Sequence, residues 1–210
     1  MDKQFAIFDM DGTLIDSMNF WKNLASEYLT NKGITKISTN ILEEIKTMTM
    51  SESAALFKQK FSLSGDPEKE MNAIMEGHYR NDIPLKKGVQ KYLQKLHSEG
   101  VCMCVASAAA EDLVEVCLNR LGVRNYFAFL LSCETVGAGK RSPIVYHEAA
   151  KRMGAVPADA AVYEDALYAV ETAKDAGYYV VGVYDDGTSN NWETIERIAD
   201  EIILSWEDAL

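Results

Sequence analysis

With 210 residues, 48% of them apolar, the chain is long enough to bury a full core, as one large domain or as a core with an insert. Its formal charge of −11 argues against a nucleic-acid partner, since no basic stripe is present, and an acidic chain that binds phosphate must gather its few cations locally or recruit a metal. No apolar stretch approaches the ~18 residues of a membrane span and the N-terminus lacks a signal-peptide design, so we expect a cytoplasmic protein with no membrane partner.

The first element in chain order is an apolar run, Phe5 to Phe8, with the length and β-enrichment of a buried strand. It delivers Asp9-Met10-Asp11-Gly12-Thr13 at its carboxyl end, where parallel strands present their chemistry. Two acids at i and i+2 on a continuing strand would share a face. Gly12 lets the backbone turn and aim them separately, so that one can attack while the other handles protons, and together they can hold a hard divalent cation. Alone, the motif reads equally well as a strand ending in a solvated acidic turn.

Residues 17 to about 82 are helical throughout: Phe20 to Asn31, Thr39 to Met48, Glu52 to Phe61 and Glu68 to Tyr79, with Ser64-Gly-Asp-Pro67 as a loop and helix start. An all-helical insert after a first strand is expected to be a separate cap over the site. From about residue 83, helical and strand patterns alternate. Helix Val89 to Ser98 precedes strand Val101 to Ala106, and helix Glu111 to Leu121 precedes a short strand, Phe127 to Leu131. Helix Ser142 to Met153 precedes strand Ala160 to Tyr163, and helix Ala166 to Ala176 precedes strand Tyr178 to Val183. Helix Trp192 to Ala199 and strand Ile202 to Leu204 close the series. Helices that stop at glycine and solidly apolar strands mark βα units around a parallel sheet with right-handed crossovers. The fold class is therefore α/β, a Rossmann-like parallel core of residues 1–16 and 83–210 with an inserted α-helical cap of residues 17–82. Cys102, Cys104, Cys117 and Cys133 lie in apolar segments without C-x-x-C spacing and read as reduced core thiols.

Polar residues follow the other strands. The 101–106 strand runs into Ser107, whose hydroxyl and following N–H groups precede a helix; they can grip an anion, although a capping role is the commoner use of such a serine. Gly137-Ala-Gly-Lys140-Arg-Ser-Pro143 is not a P-loop, because Arg141 follows Lys140 and no strand leads directly in. It reads better as a stiff loop that points one lysine inward. The 160–163 strand runs into Glu164-Asp165, a plausible pair of metal ligands.

The order strand–DxDGT, helical insert, strand–Ser, loop–Lys, strand–Glu-Asp resembles the haloacid dehalogenase superfamily, in its β-phosphoglucomutase-like branch with a small helical cap. The resemblance covers essentially the whole chain. It is carried by Ile7-Phe-Asp-Met-Asp-Gly-Thr-Leu-Ile-Asp-Ser17, Gly139-Lys-Arg-Ser-Pro143 with Tyr146 and Ala149-Ala150, and Tyr163-Glu-Asp-Ala-Leu167 with Ala173-Lys-Asp-Ala-Gly177. It implies Asp9 as the nucleophile that forms an aspartyl-phosphate, and Asp11 as general acid and then base. It further implies Lys140 to neutralise Asp9 and a phosphate oxygen, Ser107 and the Ala108 N–H to bind phosphoryl oxygens, and Thr13 with Gly12 to shape the turn. Mg²⁺ would be the cofactor, held by Asp9, the Asp11 carbonyl, Glu164 and Asp165. The acid at Asp11 favours phosphoryl transfer over dehalogenation, whose ester intermediate has no alkoxide to protonate.

Within that branch, mutases add a cap histidine and a cap arginine. Here those places read Trp21 and Thr47-Met-Thr-Met-Ser51, and Ala109, Ala110 and Glu111 stand where basic and amide residues would follow the serine. The favoured function is thus a Mg²⁺-dependent phosphatase of a small phosphorylated metabolite, with sugar phosphates leading. A phosphosugar mutase is the alternative, and a catalytically silent metal-binding regulator a lesser one. Phe20 and Trp21 are candidates for a substrate pocket, with Met48 and Met50 as adaptable lining, although cap core is the simpler use of all four. Arg80, Lys86 and Lys87 read as solvated charges, His78, His97 and His147 as structural, and Asp185-Asp186-Gly187 as a turn. The default oligomeric state is a monomer.

Overall fold

The computed structural model describes residues 3–45, 48 and 50–209. The chain divides into two compact units, Met1–Met18 with Ile83–Leu210, and Asn19–Asp82. In chain order the elements are β1 (Phe5–Phe8), α1 (Met18–Asn31), α2 (Thr39–Ile45), α3 (Met50–Phe61), α4 (Pro67–Asn81), α5 (Val89–Ser98), β2 (Cys102–Ser107) and α6 (Glu111–Arg120). There follow β3 (Phe129–Ser132), α7 (Cys133–Val136), α8 (Ile144–Met153), β4 (Ala160–Glu164), α9 (Leu167–Asp175), β5 (Tyr179–Val183), α10 (Trp192–Ile198) and β6 (Glu201–Ile203).

The larger unit is built on a six-stranded sheet in the order β3-β2-β1-β4-β5-β6, every neighbouring pair parallel. The chain builds outward from β1 through β2 to β3, then returns to place β4, β5 and β6 on the opposite side. That reversal makes the carboxyl end of β1, between β2 and β4, the topological switch point where open α/β sheets bind ligands. Ala6, Ile7 and Phe8 are fully buried, as expected of a central strand covered on both faces. Alternate strand positions join the packed helices in one core, in which Ile7, Cys104, Ala106, Val162 and Val180 meet Val145, Tyr146, Ala149, Val170 and Ile195. All four cysteines are free thiols; Cys104 and Cys117 are fully buried, and burial pushes the Cys117 thiol up to about 11.

Three strands, β2, β3 and β4, each end one polar residue beyond the apolar run read from the sequence. Ser107 is the last ladder residue of β2, paired with Ser132, and Glu164 the last of β4, paired with Gly182. Ladder hydrogen bonds, unlike hydropathy, continue through a polar residue when its side chain finds a partner. Between β3 and the loop read at Gly137–Pro143 the chain makes a turn of helix, α7, at whose start the Ser132 hydroxyl accepts from the Glu134 N–H at 3.1 Å.

Among its described residues the smaller unit has only helices as regular structure. Leu24, Tyr28, Leu29, Phe57, Met71, Met75 and Tyr79 form its buried face, and Asp66 caps α4 by accepting from the Lys69 N–H at 3.2 Å, with Pro67 at the first position. Phe20, Trp21, Met48 and Met50 are half-buried rather than core, and Thr47 and Thr49 of the segment compared with the mutase arginine lie outside the described residues. His78 is structural: its Nε2 is 2.8 Å from Glu27 Oε2 and its Nδ1 2.8 Å from Asp82 Oδ2, with the Phe20 ring 4.8 Å from its own. Burial pulls its pKa down, but the Asp82 and Glu27 carboxylates outweigh this and hold it above the ordinary 6.5. A raised histidine pKa stabilises fully below the unfolded value and loses that contribution as pH rises through the folded one. His78→Gln is therefore expected to lower the melting temperature most near pH 6, with the deficit shrinking as pH rises. Its size should stay within about 1 kcal/mol because both carboxylates are partly solvated. Thermal unfolding of both proteins from pH 5.5 to 8.5 reads this directly, and a pH-independent deficit would rule out the charged form.

Candidate active site

The site is assembled from three strand ends and one loop of the larger unit. β1 stops at Phe8, yet the Asp9 N–H still donates to the Tyr163 carbonyl at 3.0 Å, so Asp9 is held by the neighbouring strand although it lies past the end of its own. The chain then closes a tight turn. The Leu14 and Ile15 N–H groups donate to the Met10 carbonyl at 2.9 and 3.1 Å, and the Gly12 N–H to the Ile15 carbonyl at 3.1 Å. Gly12 sits at φ +78, and a β-carbon there would run into the Asp165 carboxylate, so both the turn and its close approach to the β4 end require glycine. The turn separates the two acids. Asp9 is 6% exposed, whereas Asp11 is only half-buried.

Lys140 comes from the loop after α7 and is 5% exposed. Its ammonium donates to Asp9 Oδ1 and, at 2.7 Å, to Glu164 Oε1. The Tyr146 hydroxyl, on α8, donates to the same Glu164 oxygen at 2.7 Å. Burial disfavours the lysine cation, but Asp9 and Glu164 more than compensate and hold it above the ordinary lysine range. Burial and the Asp9 and Glu164 charges raise Asp165 well above a free aspartate, and burial likewise raises Glu164 against the pull of Lys140. One oxygen from each of Asp9, Glu164 and Asp165 lies within 4.8 Å of the other two. Three buried carboxyl groups lie beside a single lysine, and the donors they offer are all hard oxygens. The set fits a small divalent cation of the Mg²⁺ type. The Asp11 carboxylate lies outside this cluster.

Ser107 is buried, and its hydroxyl accepts from the Ala109 N–H at 3.0 Å, an ST-turn rather than the cap of α6, which begins at Glu111 with Ala110 before it. Glu111 accepts from the Ser132 N–H at 3.2 Å and so ties the start of α6 to the β3 end. Thr13 is fully buried, with a long 3.5 Å contact from its hydroxyl to Asp165 Oδ1. The ends of β1, β2 and β4 and the Lys140 loop thus contribute to one region, and Ala108 and Lys140 line the same open cleft of about 670 Å³.

Similarity to known proteins agrees with this geometry. The family model for haloacid dehalogenase-like hydrolases matches residues 6–183. This chain belongs to that family. Among individual relatives of this haloacid dehalogenase-like hydrolase, validoxylamine A 7'-phosphate phosphatase of Streptomyces hygroscopicus is 26% identical over 85% of this chain and 84% of its own. Hexitol phosphatase B of Escherichia coli is 25% identical over 81% of this chain and 79% of its own. The crystal structure of β-phosphoglucomutase from Clostridium difficile superposes with a TM-score of 0.70 at 22% identity, covering 99% of this chain and 93% of that one, which establishes the shared fold. No helix among the described residues is long and apolar enough to cross a membrane.

Three residues that the sequence reading assigned no role, or a different one, support this hydrolase's site. Tyr146 fixes Glu164. Trp206 donates its indole N–H to the Thr13 carbonyl at 3.1 Å and stacks on Tyr163, which in turn stacks on Phe8 at 4.2 Å. Gly88, at φ +96, leaves room for the Trp206–Glu207 backbone, which a β-carbon would meet at 2.7 Å. Lys86 and Asp185 correct the earlier reading. Lys86 is not a solvated charge: its ammonium lies 2.8 Å from Asp185 Oδ2 and donates to the Tyr184 carbonyl at 2.9 Å, with side chains 15% and 5% exposed. Asp185-Asp186-Gly187 is a turn as read, closed by the Gly187 N–H on Asp185 Oδ1 at 2.7 Å, but its first carboxylate is buried and paired.

Proposed function

We propose that this haloacid dehalogenase-like hydrolase is a Mg²⁺-dependent phosphatase of a small phosphorylated metabolite, sugar phosphates first, working through an aspartyl-phosphate on Asp9. The observation that carries the reading is the pairing of a buried Asp9 with a buried, charged Lys140 at the sheet's switch point, two residues before a second, more accessible aspartate. Relatives that are named as phosphatases of hexitols and phosphorylated carbohydrates support the substrate class.

Asp9 is the nucleophile. Its carboxylate attacks phosphorus, the P–O bond to the leaving alcohol breaks, and an acyl phosphate forms on Asp9. Lys140 holds the Asp9 carboxylate aimed, and its remaining N–H is left for a phosphoryl oxygen. Glu164 and Tyr146 prevent that ammonium from swinging away. Ser107, whose oxygen is engaged by the Ala109 N–H, keeps its own proton to donate, and with the Ala108 N–H it binds phosphoryl oxygens. Asp11 protonates the departing alkoxide, then takes a proton from the water that attacks the acyl phosphate and regenerates Asp9. Asp9, Glu164, Asp165 and the Asp11 carbonyl would hold Mg²⁺, which would supply the positive charge that lets a carboxylate approach an anionic phosphoryl group.

The test is Mg²⁺-dependent phosphate release from p-nitrophenyl phosphate, hexose, pentose and hexitol phosphates and nucleotides, with Asp9→Asn alongside. Release is expected from one or more sugar phosphates and should fall by at least about a thousandfold in the variant, as for loss of a nucleophile. The panel also carries β-glucose 1-phosphate with its bisphosphate. Isomerised sugar phosphate with little free phosphate would establish the mutase instead, and silence on every substrate by the folded, Mg²⁺-supplemented protein would leave the regulator.

A further inference from the structure

The residue after the central lysine has no part in the chemistry above. Arg141 is exposed and lines the cleft of about 670 Å³ together with Ala108, Cys133, Lys140, Ser142 and Tyr168. Its guanidinium carbon lies 4.8 Å from the centroid of the Tyr168 ring, a cation–π stack between the Lys140 loop and the start of α9. Tyr168 is a large apolar ring left 39% exposed. Among the described residues Arg141 makes no hydrogen bond and no ion pair. Its neighbour differs in that respect, since the Lys140 ammonium is committed to Asp9 and Glu164. In a chain of net charge −11, the cleft therefore presents one oriented cation whose donors are all unspent.

A planar guanidinium with its stem fixed by an aromatic face is pre-organised for bidentate binding of a carboxylate or phosphoryl group, and it loses less freedom on binding than a lysine would. The cleft volume suits a small-molecule site. We propose that Arg141, positioned by Tyr168, recognises a second acidic group on the part of the substrate beyond the transferred phosphoryl group. The inference rests on the phosphatase reading and narrows it: among sugar phosphates, those bearing a carboxylate or a second phosphoryl group are preferred over neutral polyol phosphates.

The experiment compares kcat/KM for 6-phosphogluconate, fructose 1,6-bisphosphate and glucitol 6-phosphate in the unaltered protein, Arg141→Gln, Arg141→Lys and Tyr168→Leu. The ratio of acidic to neutral substrate cancels any loss common to both. That ratio is expected to fall in Arg141→Gln by roughly tenfold to a hundredfold, the worth of a charge-assisted hydrogen bond, chiefly through KM. Arg141→Lys should fall between, because it keeps the charge and loses the fork. Tyr168→Leu should lower the ratio less than Arg141→Gln, as befits a positioning residue. The two acidic substrates tell whether the group read is a carboxylate or a phosphoryl. A ratio near one in the unaltered protein, or one unchanged in Arg141→Gln, overturns the proposal. Calorimetric binding of the same three compounds to Asp9→Asn, with and without Arg141→Gln, separates the two readings. An acid preference that vanishes with Arg141 supports the subsite even where no phosphate is released and the phosphatase reading has failed. Equal binding of acidic and neutral compounds overturns the subsite whatever the turnover.

Discussion

Replacing Lys140 with methionine is expected to abolish measurable phosphate release and to destabilise the metal-free protein by about 3–5 kcal/mol at neutral pH, the cost of leaving buried charge without its partner. Methionine has nearly the same shape, so the loss is electrostatic rather than a cavity. Asp9, Glu164 and Asp165 would then face one another with no cation among them. The pH dependence follows from the direction of the shifts. Burial, with the neighbouring carboxylates, already raises Glu164 and Asp165 in the intact site, and losing the lysine raises them further. A folded state that keeps protons the unfolded state has released becomes less stable as pH rises. The deficit relative to the unaltered protein should therefore be large at pH 8 and shrink towards pH 5. Denaturant unfolding in a chelator at three pH values tests this. A deficit under about 1 kcal/mol, flat with pH, would mean the carboxylates are solvated or already protonated. Added Mg²⁺ is expected to restore more stability to the variant than to the unaltered protein, since it replaces the missing charge.

Asp11→Asn is expected to lower kcat on sugar phosphates by about 10²–10⁴, the usual contribution of a general acid–base group. It should have a far smaller effect on the first half-reaction of p-nitrophenyl phosphate, whose leaving group needs no proton. Burst kinetics separate the halves: the variant should still form the acyl phosphate from the aryl ester and then stall, because the hydrolytic water has lost its base. Asp11 is suited to this work because the Gly12 turn leaves it half-buried while Asp9 is enclosed. Equal losses on both substrates, with no burst, would assign the proton transfers to another group. Asn at this position keeps the backbone carbonyl and the side chain's size, so the substitution isolates the proton.

Much of the candidate site was legible before any tertiary contact was known, and the reason is local. Asp9, Asp11 and Gly12 are consecutive with a strand, so hydropathy and turn chemistry place them together. Ser107 and Glu164-Asp165 are legible in the same way, each following an apolar run. What escaped was whatever depends on long-range pairing. Tyr146 was visible only as part of a resembling motif, because no periodicity says that its hydroxyl reaches Glu164. Trp206 meets the Thr13 carbonyl across 193 residues, and nothing near the C-terminus marks it as a brace for the first turn. Lys86 and Asp185 each look solvated in their own surroundings, and only the fold joins them into a buried pair. Phe20 and Trp21 carry no such contradiction, but half-burial alone gives them no place in a pocket.

The sequence by itself determined the alternation of strands and helices, the helical insert, and which strand ends carry reactive groups, because periodicity, breakers and turn residues act over a few residues. Tertiary structure alone decided that β1 lies between β2 and β4, that one lysine is shared by two acids, and that Arg141 is left stacked on Tyr168 with its donors unspent. Those outcomes follow from strand pairing and burial across distant segments, where the cost of an unpaired charge selects partners that no local pattern encodes.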